Sequence, residues 1–66
     1  MADVAASRDP WLTTEELAER LHIKPETLHT WRYHGVGPKG VKIGRRVLYR
    51  LSGVELWERE QERAAS

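Results

Sequence analysis

Cysteine is absent from this chain, so neither a disulfide nor a thiolate metal site can support the small core that 66 residues allow. No apolar run approaches the ~20 residues that cross a bilayer. The N-terminal MADVAASRDP has no basic segment followed by an apolar one, which argues against a secretory signal. These absences lead to the expectation of one soluble, cytoplasmic domain with no membrane association. Catalytic patterns are also lacking. There is no Ser/His/Asp set, no carboxylate pair in an apolar setting, and no Gly-rich phosphate loop at useful spacing. Gly35, Gly37 and Gly40 do not follow a strand and open a helix, so they form no dinucleotide fingerprint. His22, His29 and His34 invite a metal reading. His29 and His34 lie five apart and do not share a helix face, and no cysteine joins them. No enzyme activity, cofactor or metal is expected.

Acidic residues are missing from one region only. Residues 1–27 carry three basic and six acidic side chains, and residues 51–66 carry two and four. Residues 28–50 carry Arg32, Lys39, Lys42, Arg45, Arg46 and Arg50 with no Asp or Glu. The formal net charge of +1 conceals this basic middle. Such a block is an electrostatic footprint for a polyanion. The plainer alternative is a solvated face with basic helix ends.

Residues 1–10 have no apolar periodicity and read as a flexible tail ahead of a domain at 11–63, with 64–66 fraying. In TTEELAERL, Thr13 and Glu16 form a capping box. Leu17 and Leu21 lie one turn apart, predicting an amphipathic helix over 14–21. HIK is a three-residue break. Pro25 suits the first turn of a second helix, since its missing N–H is not needed there. Leu28 and Trp31 share that helix's apolar face, and Gly35 is a left-handed stop. VGPKG reads as a loop. VKIGRRVLYR follows as a hairpin, with strands Val41–Ile43 and Val47–Tyr49 about a turn at Gly44, and Val41, Ile43 and Tyr49 on one side. A last helix over 53–63 carries a second capping box, Ser52 with Glu55, and packs through Val54 and Trp57. Trp31 and Trp57 are both read as core.

Two short helices joined by a three-residue turn match a helix-turn-helix, whose second helix enters the major groove. The fold class is therefore mainly α with a small β-hairpin, a winged helix-turn-helix closed by a C-terminal helix. The second helix presents Glu26, Thr27, His29, Thr30, Arg32 and Tyr33 outward. Glu26 suits cytosine N4, and Thr27 and Thr30 suit a thymine methyl or a base edge. His29 and Arg32 reach guanine or phosphate. Lys24 adds a phosphate-seeking charge before Pro25. The hairpin then acts as a wing, with Lys42, Arg45 and Arg46 directed to the minor groove or phosphates. Thr14 and Arg50 are assigned to the DNA backbone. The competing readings are an ordinary amphipathic helix with a soluble turn, and a protein-interaction module that binds an acidic partner.

The stretches LTTEELAERL, PETLHTW, KIGRRVLYR and SGVELW together resemble the excisionase family, related to the MerR-type DNA-binding domain. The resemblance covers about residues 11–58. It implies a non-enzymatic, double-stranded DNA-binding protein that acts as a recombination directionality factor in a bacterial or phage-infected cell. Such proteins bind repeated sites at an attachment region, associate cooperatively on DNA and bend it. They direct a partner integrase, a tyrosine or serine recombinase, towards excision. By position, Glu26 and Thr30 fall where the family reads the major groove, and Arg45 where it places a minor-groove arginine. Lys24 stands where a Ser, Thr or Asp cap is usual. Because the chain extends little beyond the domain, a directionality factor is favoured over a small transcriptional regulator or phage repressor with the same fold.

Overall fold

Residues 9–65 are described by a computed structural model, in which six elements follow in order. They are β1 (Trp11–Thr13), α1 (Thr14–Leu21), α2 (Pro25–Tyr33), β2 (Gly40–Ile43), β3 (Arg46–Arg50) and α3 (Leu51–Ala65). Three helices accompany one antiparallel sheet of order β1-β3-β2, the arrangement of a winged helix-turn-helix. The expected tail lies outside the described residues over 1–8, as does Ser66.

Local chemistry sets the first two helices. The Thr13 hydroxyl accepts from the Glu16 N–H at 3.0 Å, and the Glu16 carboxylate accepts from the Thr13 N–H at 2.8 Å. Both arms of the expected capping box are therefore made. His22 ends α1 in the left-handed region at φ 60°, and the Ile23 N–H returns to the Ala18 carbonyl at 2.9 Å. Pro25 opens α2, and Lys24 before it supplies no side-chain cap.

Leu17, Ala18, Leu28, Tyr49 and Val54 form the buried core, with Leu12, Leu21, Ile23, Trp31 and Val47 packed against it. Each fully buried aliphatic side chain contributes about 1.5–3 kcal/mol. Because α1, α2, β3 and α3 all supply core residues, the angle between the two helices and the hairpin is fixed by one cluster.

Four local expectations change. Residues 11–13 form a third strand, β1, paired with β3 through Trp11↔Arg50, Leu12↔Tyr49 and Thr13↔Leu48. The hairpin register pairs Gly40 with Tyr49 and Val41 with Leu48, so Tyr49 lies opposite in face to Val41 and Ile43. Gly40 explains that choice: a Cβ there would stand 2.9 Å from Tyr49 Cε2, so the glycine leaves room for the buried ring. The last helix starts at Leu51 and runs through Ala65, without the Ser52–Glu55 capping box. Instead Asp9 reaches across, accepting from the Ser52 N–H at 2.9 Å and from the Ser52 hydroxyl at 3.1 Å. Finally, Trp31 and Trp57 are half-buried rather than central. Their rings pack on each other at 5.6 Å and join α2 to α3.

Candidate nucleic-acid interface

The site is the exposed side of α2 together with the hairpin beside it. At 100° per residue, Glu26, His29, Thr30 and Tyr33 share the outward face of α2, with Thr27 and Arg32 on its borders. Leu28 anchors the opposite face in the core. Glu26, His29, Thr30 and Arg32 are exposed, Thr27 is half-buried, and Tyr33 is 87% exposed with its ring edge-on to His34. The Thr30 hydroxyl donates to the Glu26 carbonyl at 3.1 Å. That bond leaves its lone pairs and methyl group for a ligand, but not its proton. Lys24 is exposed at the start of the helix.

In the hairpin, Ile43 pairs with Arg46, so Gly44 and Arg45 alone make a two-residue turn. Gly44 has φ 63° and Arg45 a negative φ, the pattern of a II′ turn with glycine first. Arg45 therefore sits at the tip, whereas Arg46 is already the first residue of β3. Lys42, Arg45 and Arg46 are all exposed.

The tip lies against α2. Arg45, Arg46 and Val47 line a groove of about 220 Å³ with His29 from α2 and Thr13, Thr14 and Glu15 from the start of α1. Three elements thus bring two arginines and a histidine to one concave place, with Glu15 as the single carboxylate in its lining. Sequence reasoning named His29, Arg45 and Arg46 separately. The core that packs these elements brings them together, and the Thr14 hydroxyl, which donates to the Val47 carbonyl at 3.2 Å, adds a tie between α1 and the wing.

Thr14, expected at the DNA backbone, is the residue that makes that bond. Its side chain is buried and donates within the protein, and it lines the groove at the wing tip. Arg50, also expected at the DNA backbone, makes contacts within the protein as well. It donates to the Asp9 carbonyl at 3.2 Å, lies 3.8 Å from the Asp9 carboxylate, and stacks over the Trp11 ring at 4.0 Å. Its charge holds the chain entry against the sheet at the end remote from the tip.

Among the described residues no three His, Cys, Asp or Glu side chains come together to hold a metal ion. No described helix is long and apolar enough to cross a membrane. Burial raises the Tyr49 phenol above its ordinary pKa, and the nearby Arg32 charge partly opposes this. Arg20 and Glu58 form a two-pronged pair at 2.8 and 2.9 Å that lowers the Glu58 pKa and braces α1 against α3 behind the site.

A family model described as a helix-turn-helix domain matches residues 11–62, from β1 into the last turn but one of α3. No curated protein and no solved structure gives a match. The matched region contains the two helices, the turn between them and the wing, and the chain belongs to the helix-turn-helix domain family, whose members bind double-stranded DNA sequence-specifically.

Proposed function

We propose that this protein is a DNA-binding factor of excisionase type, which binds repeated sites at an attachment region and bends the DNA to direct an integrase towards excision. The observation that carries the reading is the wing KIGRRVLYR, whose tip residue Arg45 lines one groove with His29 of α2. In this reading Glu26, Thr27 and Thr30 contact base edges in the major groove, with His29, Arg32 and Tyr33 reaching bases or phosphates. Lys24 and Lys42 bind phosphates, while Arg45 enters a narrow minor groove with Arg46 alongside.

Magnitudes favour several copies acting together. One module of this size buries only ~600–1,000 Å² on DNA. Bending a 20–30 base-pair site by 40–90° costs on the order of 1–6 kcal/mol. Cooperative association of copies on tandem sites spreads that cost over more contacts.

The test is recombination in vitro with a purified tyrosine or serine integrase of the same genome. Excision of an attachment-junction substrate should depend on the protein, and end-labelled fragments should show bending by energy transfer. Specific binding without bending and without any effect on excision would leave the second reading, a small transcriptional regulator. The basic α2–wing face suits that role equally well.

A further inference from the structure

A second hollow, of about 380 Å³, lies at the base of the wing where the loop after α2 enters β2. It is lined by Arg32, Lys39 and the small residues Gly35, Gly37 and Gly40, and no carboxylate is among its lining residues. The loop is held in shape. Gly37, at φ 81°, presses on the Trp31 ring, Pro38 is buried, and the Val36 N–H donates to the Trp31 carbonyl at 2.9 Å. A rigid loop loses little entropy when a ligand enters.

Tyr49 supplies an independent observation. The residue is 2% exposed, yet its hydroxyl makes no hydrogen bond to another described residue and is not sealed from solvent. Its Cζ lies 3.0 Å from where a Cβ on Gly40 would stand, and the phenol feels the Arg32 charge. The Cζ position puts the hydroxyl beside Gly40, which lines the hollow, and with its edge open to solvent the O–H is free to donate to a ligand. Two cations, a neutral donor and no carboxylate match a phosphate group. The length of β2 sets this place back from the Arg45 tip by about 10 Å, on the same seam between α2 and the hairpin.

We propose that the hollow between Arg32, Lys39 and Gly40 binds a phosphodiester of duplex DNA, with Lys39 and Arg32 neutralising it and the Tyr49 hydroxyl donating to it. The proposal rests on the DNA-binding reading and adds Lys39 and Tyr49 to the contact residues. It gives the wing two grips, one at its tip and one at its base.

Fluorescence anisotropy with the full chain and a mixed-sequence duplex, over a KCl series, tests this. Lys39→Gln should bind more weakly and reduce the slope of log K against log[salt] by about 0.9, with unchanged Tm. Arg45→Ala should do the same independently, so that the double variant loses both increments. Tyr49→Phe should weaken binding about fivefold with no change in slope, since a neutral hydrogen bond releases no counterion. In titrations followed by NMR, the amides of Gly37, Lys39 and Gly40 should shift with duplex at micromolar concentration and with inorganic phosphate only at millimolar. If Lys39→Gln binds like the parent while Arg45→Ala is weakened, the hollow is not a DNA contact and the DNA reading stands. If those amides respond to micromolar phosphate but not to duplex, the hollow is a free-anion site and the proposal fails. If the parent protein binds no duplex at low salt, the DNA reading itself fails.

Discussion

Replacing Gly37 by alanine tests how the loop behind the recognition helix is held. Two effects add. The backbone at φ 81° is a conformation that an L side chain adopts at a cost of about 1–2 kcal/mol. A Cβ at that position would also stand 2.6 Å from Cε3 and 3.3 Å from Cδ2 of Trp31. The indole also packs against Trp57 at 5.6 Å, which restricts its movement, and overpacking of this kind costs about 1–3 kcal/mol. The total is about 2–5 kcal/mol. A domain of 66 residues has only about 3–10 kcal/mol of stability, so the variant should be largely destabilised at 37 °C. Gly44→Ala is the control: its φ of 63° is also a conformation that strains an L side chain, but nothing lies within 4 Å of the added Cβ. Urea denaturation should therefore place Gly37→Ala about 1–3 kcal/mol below Gly44→Ala. In a Trp31→Leu background that difference should shrink towards zero, which makes a double-mutant cycle for the contact. Equal losses in the two glycine variants would refute the reasoning and leave backbone strain as the whole effect.

Asp9→Ala removes the acceptor at the start of α3 and should cost about 0.5–2 kcal/mol, read as a lower Tm with DNA affinity preserved. An unchanged Tm would show that the N-terminus of α3 is satisfied otherwise. His22→Gly should stabilise the protein by about 0.5–1 kcal/mol, because the left-handed strain at φ 60° outweighs the added freedom of the unfolded chain. Glu58→Gln should cost under about 1 kcal/mol at neutral pH, since the Arg20 partner is 39% exposed and screened. The Glu58 pKa is lowered in the fold by the Arg20 hydrogen bond. The pair's contribution is therefore fully present above the ordinary value of 4.5 and disappears as pH falls through the lower folded value. Parent and variant should converge in urea titrations towards pH 3. Glu26→Ala should narrow the gap between cognate and scrambled duplexes, whereas Arg45→Ala should weaken both alike, as anisotropy can measure.

The sequence by itself determined what short-range chemistry controls. Thr13 with Glu16, and Pro25 at the first turn, mark the starts of α1 and α2 within one turn of chain, and those helices begin where these residues direct. Gly44 marks the hairpin turn in the same way, because the two-residue loop needs a positive φ at its first position. The basic stretch from residue 28 to 50 was also legible, as was the helix-turn-helix with its wing.

Only the tertiary structure decided the features whose partners lie far along the chain. β1 is three residues of WLT, too short to declare itself, and it exists because β3 offers an edge 35–39 positions later. Asp9 caps α3 across 43 positions, a role invisible beside the nearer Ser52–Glu55 pattern. The hairpin's alternation gave two faces but not which one is buried. That depended on Gly40 admitting the Tyr49 ring, with Val41 and Ile43 left exposed on the other side. The groove at the wing tip and the hollow at its base belong to the same class. Each needs residues from separate elements brought to one place, and that placement follows from how a single small core packs two helices against a sheet.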